Sequence, residues 1–322
     1  MYLRVIQVLG IFFMAFLSPA HSQQVNVKRD TTGFNFFIGK QLVLHYQSSS
    51  APVPENVDAV FSKSGFIHPL ITLGGQKLTR IQPADHHHHY GIWSAWTNTT
   101  ISGDSVDFWN LADRKGRVEF DRIISYSKGQ EGTLRVGQNH LKLKNADSIQ
   151  VAIQEELEIK VKPLTDFRYQ VDYFSDFFTE LPEGILLNAY RYGGGIAFRA
   201  TEIWGEMNSS ILTSEGKERD SADGLGIRWV IIQGFNQEQD AKFGLLILSH
   251  ITNFGHPEPL RIWPSGEYEG FGNVFINLTP TRNQSWQLKP GIIYHLKYRL
   301  IVFDGELNEV EAEEYWQNFI SN

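Results

Sequence analysis

Apolar and polar residues alternate with a period of two along much of the chain. Val151, Ile153, Leu157, Ile159 and Val161 share one parity, and Gln150, Gln154, Glu156, Glu158, Lys160 and Lys162 share the other. An extended backbone throws successive side chains to opposite faces, so this stretch predicts a long strand buried on one face. Pro163-Leu164-Thr165-Asp166 interrupts it. Phe167, Tyr169, Val171 and Tyr173 then resume the alternation against Arg168, Gln170 and Asp172, which predicts an antiparallel hairpin. Further strands are expected at residues 34–45, 117–127, 195–201, 228–233, 242–249 and 294–303, punctuated by Gly and Pro. Strands do not alternate with long amphipathic helices, which argues against a parallel α/β sheet. One helix is predicted, at the C-terminal end. Asn308 caps it, Glu311 completes a capping box, and Val310, Ala312, Tyr315, Trp316 and Phe319 supply an apolar side. The expected fold is all-β: a large antiparallel two-sheet sandwich filling most of residues 25–305, with a short C-terminal helix. Glu155 breaks the pattern, because it sits on the apolar parity. A bulge or register shift that turns it to solvent is the expected resolution; the alternative is a buried carboxyl that is paired or has a raised pKa.

The first 22 residues change the picture of where the chain works. Arg4 precedes an apolar run from Val5 to Leu17, and Ala20-His21-Ser22 follows. This reads as an export signal cleaved near Ser22, leaving one catalytic domain over residues 23–322 in the periplasm or outside the cell. The run is shorter than the roughly 20 residues a membrane span takes. No later stretch is long and apolar enough to span, so no membrane partner is expected. The formal charge is −7, which disfavours nucleic acid as a partner. There is no cysteine, so disulfides, thiolate metal sites and thiol catalysis are excluded. With 22 Phe, 12 Tyr and 8 Trp, the chain has rings both for packing sheets and for stacking on sugars.

Candidate chemistry centres on Asp85-His86-His87-His88-His89-Tyr90-Gly91-Ile92-Trp93. Histidine titrates near neutrality and serves as acid, base or metal ligand. In a strand, His86 and His88 share a face and His87 and His89 take the other; a turn can gather three of them. A second pair, His250 and His256, follows the strand expected at 242–249. Arg191, Arg199 and Arg261 are the candidates for gripping an acidic ligand, since a guanidinium can hold a carboxylate through two parallel hydrogen bonds. Trp93 and Trp96 differ by three residues, so in a strand one is expected in the core and the other at a sugar.

His68-Pro69, the Asp85–Gly91 run with Trp93, Asp107-Phe108-Trp109, His250 with His256-Pro257, and Leu296–Gly305 together resemble the PmoA-like family of exported bacterial proteins. That family's usual motif reads Asp-His-Pro-His-His-Arg-Gly. His86, His88 and His89 match it; His87 replaces the proline and Tyr90 the arginine, so no role of that arginine carries over. The resemblance implies work on sugars. More narrowly, it implies a carbon–oxygen lyase of ulvan breakdown that removes water from a terminal uronic acid of an oligosaccharide and leaves a 4,5-unsaturated uronate. It also fits a galactose-mutarotase-like supersandwich. For such a reaction His88 or Tyr90 is the candidate base, His256 or His86 the acid, and Arg191 or Arg199 the carboxylate grip. A divalent metal ion held by His86, His88 and His250 is a second way to polarise the carboxylate. The competing functions are a mutarotase-like or glycoside-cleaving enzyme and a non-catalytic carbohydrate-binding protein.

Overall fold

A computed structural model describes residues 23–145, 148–268 and 272–321, so the export signal read at residues 1–22 lies outside the described residues. The chain is all-β, with antiparallel pairing throughout the described strands. One sheet has nine strands. In spatial order they are Val25–Arg29, Gly33–Ile38, Gln41–Gln47, Phe66–Leu70, Ile92–Trp93, Ile196–Arg199, Phe275–Leu278, Glu258–Ile262 and Gly226–Ile227. The other large sheet has eight and contains the longest strands, Ser148–Thr165, Gly132–Asn145 and Gly116–Ser127. A small four-stranded sheet is built from Trp286–Leu288, Ile185–Leu187, Thr99–Ile101 and Asp104–Val106. The two-sheet sandwich is therefore present with a small third sheet beside it.

The hairpin predicted from period-two alternation is the pair Ser148–Thr165 and Arg168–Phe178, in register from Gln154↔Phe178 to Thr165↔Arg168. The stretch 34–45 is two strands instead of one. Gly39 turns the chain with φ +60, a conformation glycine adopts without the Cβ clash other residues meet.

Glu155 corrects the expectation attached to it. The bulge lies earlier, between Val151 and Ile153, so Val151 is the residue turned outward while Glu155 stays buried. Its oxygens are both engaged: Ser175 Oγ donates to one at 2.6 Å, and His140 Nε2 lies 2.8 Å from the other. Burying a carboxyl is tolerable when its lone pairs are satisfied in this way.

The helix Glu309–Ile320 docks on the outer face of the eight-stranded sheet. Ala312, Trp316 and Phe319 pack there against Trp229, Ile231, Leu246, Leu248, Ile301 and Phe303. Its capping box forms as expected, with Asn308 Oδ1 accepting from the Glu311 N–H at 3.0 Å and Glu311 returning a bond to the Asn308 N–H. Val310 is the exception on the expected apolar side, since it points to solvent.

Candidate active site

Register decides what the nine-stranded sheet offers on each face. Trp93 pairs with Ala197, Ala197 with Asn277, Arg199 with Phe275, and Arg261 with Asn277. These residues therefore share one face. Ile92, Phe198, Ile276, Ile262, Leu260 and Glu258 share the other, and Glu258 there accepts a bond from Tyr298 of the eight-stranded sheet at 2.8 Å. The first face is turned away from the second sheet and carries the polar and aromatic groups of the site.

The histidine run lies over that face as a turn. The His86 N–H donates to the Pro83 carbonyl at 2.9 Å and the His89 N–H to the His86 carbonyl at 3.1 Å. Gly91 ends the turn at φ +60, where a Cβ would lie 2.3 Å from the Ile67 carbonyl oxygen. That close approach is why glycine stands at this point of the motif. The turn gathers three imidazoles. His86 lies 5.3 Å from His88 and 4.8 Å from His89, ring centre to ring centre.

His87 and Tyr90 go elsewhere. His87 packs on Phe61, and the buried Tyr90 donates its hydroxyl to the Phe61 carbonyl. Burial pushes the Tyr90 phenol well above its ordinary pKa. Tyr90 is therefore corrected as a candidate base: its only acidic group is spent on a backbone carbonyl and does not line the pocket of the other histidines.

His86, His88 and His89 line one pocket of about 180 Å³ with Thr97, Trp109, Asn110, Tyr190, Tyr192 and Trp263. Its chemistry is graded by what stands behind each imidazole. His86 Nδ1 is 3.0 Å from Asp85 Oδ2. Burial works to raise the Asp85 carboxyl, but hydrogen bonds from His86 and Arg199 and the charge of Arg80 outweigh it and hold the group ionised. An ionised Asp85 accepts, so His86 Nδ1 carries the proton, and in the neutral imidazole the lone pair is then on Nε2. Burial, then the neighbouring His86, pushes His88 down to about 4, so it is neutral at physiological pH. Burial also pushes His89 well below the ordinary imidazole value; its Nδ1 faces Arg199 at 3.4 Å, and it stacks on Phe275 at 4.7 Å.

The arginines divide sharply. Arg199 is fully buried, donates to Asp85 at 2.5 Å and to the Gly272 carbonyl at 2.8 Å, and lies 4.5 Å over the Trp263 ring. It is corrected as a substrate ligand: it neutralises Asp85 and has no face to offer a sugar. Arg261 is also nearly closed off, bonded to Asp223, Glu267 and, at 3.1 Å, to the Tyr192 hydroxyl. Its effect reaches the pocket through Tyr192, whose oxygen accepts from a guanidinium while its own proton stays free to be donated. Arg191 is exposed, lies 5.1 Å over the Tyr192 ring, and makes no ion pair with a described residue.

Three further expectations are corrected. Trp93 is buried behind His89 at 5.1 Å, so it supports the histidine instead of carrying a sugar. Trp96 is buried too, against Phe177 and Trp286. His250 and His256 lie by the C-terminal helix, His250 against Phe319 and His256 against Trp316. The set His86, His88 and His250 is thus not brought together. Among the described residues no group of three or more His, Asp or Glu side chains is arranged to hold a metal ion. The residues that sequence reasoning passed over are Asn110, Tyr190, Tyr192, Trp263, Tyr268 and Phe275. Trp109 had a signal, in the Asp107-Phe108-Trp109 motif; Asp107 accepts from the Trp109 and Asn110 N–H groups and from the Asn110 amide, which fixes both residues at the pocket.

The sequence model of a family described as a family of unknown function (DUF6807) matches residues 34–317. No curated protein matches the chain. Among solved structures it is similar to the heparan sulfate lyase HepC from Pedobacter heparinus, at 9% identity and a TM-score of 0.40 over 86% of this chain. The chain spans only 36% of that lyase. It is also similar to a galactose mutarotase related enzyme from Lactobacillus acidophilus, at 8% identity and a TM-score of 0.40, covering 86% of this chain and 97% of that one. A heparinase III gene product aligns at 8% identity and a TM-score of 0.31, over 85% of this chain and 30% of that one.

Proposed function

We propose that this chain, which belongs to the DUF6807 family, is an exported carbohydrate-active lyase that dehydrates the terminal uronic acid of an oligosaccharide, as in ulvan breakdown. The observation that carries this reading is that an Asp85-backed imidazole and an Arg261-backed phenol line the same small pocket. Dehydration of a uronate needs such a pair. The proton on C5 is only weakly acidic, so a base must remove it while the carboxylate is neutralised. His86 Nε2 takes that proton. The electron pair of the C5–H bond becomes the C4–C5 double bond, and the C4–O bond breaks. Tyr192 gives its proton to the departing 4-hydroxyl, which leaves as water. Proton return from His86 to Tyr192 through solvent resets the site. Arg191, the exposed cation beside Tyr192, meets the carboxylate. His88, neutral in the working range, accepts hydrogen bonds from sugar hydroxyls.

Pocket size supports action at a chain end. Sites that enclose a whole drug-sized ligand run to ~300 Å³ or more. A pocket of about 180 Å³ suits one sugar ring, with the remaining oligosaccharide outside.

The test is mass spectrometry of glucuronate- and iduronate-terminated oligosaccharides after incubation with the mature chain. Loss of one water, with new ultraviolet absorbance from the conjugated double bond, is the expected outcome. His86→Ala and Tyr192→Phe should each remove it. An unchanged mass with an altered anomeric ratio would replace this reading with a mutarotase-like one. Binding without any turnover would replace it with a sugar-binding protein.

A further inference from the structure

The pocket accounts for one sugar ring, and one large aromatic residue at its mouth, Tyr268, is not part of its lining. Tyr268 leaves nearly half of its surface in solvent, at 46% exposure, yet its ring stands 4.8 Å from His86 edge-to-face and 4.4 Å from Trp263. Its backbone adopts φ +59, in the left-handed region. A bulky side chain enters that region at an energetic cost, and residues held there cluster where geometry serves a ligand. The preceding loop makes the position reachable, with Gly266 at φ +79 and the Ser265 N–H held by Asp220 at 2.6 Å. Tyr190 lines the same pocket from the Tyr192 side and is 42% exposed, 6.2 Å from Tyr192. Its own segment is anchored, with the Tyr190 N–H bonded to the Thr281 carbonyl and the Ala189 N–H to Ser285. One ring therefore stands on the His86 side of the mouth and the other on the Tyr192 side, and both are held in place from behind.

We propose that Tyr268 forms a second saccharide subsite outside the catalytic pocket. It selects oligosaccharides of two or more units by stacking on the sugar attached to the reacting uronate. This rests on the carbohydrate reading above and adds the length of chain that the site requires. The physical basis is the negative face of the phenol ring, which attracts the weakly positive C–H face of a pyranose, reinforced by the water both surfaces release. Rings already fixed by their backbones lose little entropy when a ligand settles on them. A single hexuronate held in the pocket makes no contact with Tyr268, which is not among the lining residues, while Tyr190 meets either ligand.

The experiment is titration calorimetry of the full mature chain with two unreactive probes. They are the methyl glycoside of a 4-deoxyhexuronate and a disaccharide ending in the same 4-deoxyhexuronate; neither has a 4-hydroxyl to lose. The disaccharide should bind tighter. Tyr268→Ala should weaken the disaccharide by about three- to tenfold and leave the methyl glycoside within twofold, whereas Tyr190→Ala, at a residue of the pocket lining, should weaken both probes. Tyr268→Phe and Tyr190→Phe should bind as the parent chain does, since the ring is kept; this separates stacking from a disturbed fold. Equal affinity for the two probes, or a Tyr268→Ala chain that weakens both alike, would overturn the subsite and leave the dehydratase reading standing. Failure of the parent chain to bind either probe would overturn the carbohydrate reading, and the subsite with it.

Discussion

Replacing Asp85 with asparagine should damage the protein in two separable ways. The Asp85 carboxylate accepts from His86 Nδ1 at 3.0 Å and from the fully buried Arg199 at 2.5 Å, with Arg80 3.6 Å away. Arg199 keeps the Gly272 carbonyl, the Trp263 face and the 3.4 Å approach to His89 Nδ1 once the carboxylate is gone, none of which carries a negative charge, and its Nε already lacks a partner. Breaking a buried ion pair from one side costs ~3–5 kcal/mol, because the surviving charge stays desolvated. Asp85 is itself about three-tenths exposed, which reduces the figure to ~2–4 kcal/mol. For a domain of this size that is roughly 3–6 °C in melting temperature. The imidazole effect is additional. Asparagine does not hold the Nδ1–H tautomer through charge, so turnover should fall by ~10²–10⁴-fold. The pairing Asp85→Asn with Arg199→Met separates the two. Methionine keeps an apolar, polarizable contact on Trp263 and removes the stranded charge, so the double variant should regain at least half of the lost melting temperature and none of the activity. Differential scanning calorimetry and the mass assay read the two effects. A single Asp85→Asn chain that melts with the parent would refute the argument about Arg199. A double variant that recovers turnover would refute the role given to Asp85 behind His86.

Other substitutions test the corrections. Burial raises the Glu258 carboxyl to about 7, although Ser249 and Tyr298 hydrogen bonds pull it down. The folded chain therefore holds a proton that an unfolded chain, with a pKa of about 4.3, releases. Stability should fall as pH rises from about 4.3 to about 7 and then level off, by ~3–4 kcal/mol in all; Glu258→Gln should flatten that slope in denaturant titrations at pH 5 and pH 8, and an unchanged slope would contradict the assignment. Tyr90→Phe should leave turnover within about twofold and cost ~1 kcal/mol through the lost bond to Phe61; a large loss of turnover would restore Tyr90 to the mechanism. His250→Gln should leave turnover within about twofold, as for a side chain away from the chemistry, and a loss of dehydration would show that the helix-side histidines act after all.

Much of the fold was legible from period-two alternation, because a half-buried strand writes its burial directly into the order of residues. The hairpin around Pro163 and the capped helix at Asn308 are the clearest cases. Glu155 was misread because its partners, His140 and Ser175, belong to neighbouring strands, and pairing across strands leaves no local trace. The histidine run marked the pocket, but only the turn from Pro83 to Gly91 sorted its members. Parity could not place His89 with His86, since the segment is not a strand. Arg199 and Arg261 were read as grips for an acidic ligand, and both are buried instead. Their partners, Asp85 for one and Tyr192 with Asp223 and Glu267 for the other, come from distant segments, so the sequence could not show that each guanidinium was already engaged. Trp263, Tyr268 and Phe275 went unnoticed because single aromatic residues carry no spacing signal.

The wall of the pocket is continuous with the main interior of the molecule: Trp93, Trp109, Trp263 and Phe275 all belong to the one apolar cluster that also holds both large sheets together. A cavity whose lining is shared with the domain interior has no hinge of its own. Its amides should exchange with deuterium only as slowly as the whole domain unfolds. Ligand should find the imidazoles already set, so that binding consumes no folding energy and specificity resides in the rim loops. Those loops can diverge among relatives while the chemistry beneath them stays fixed.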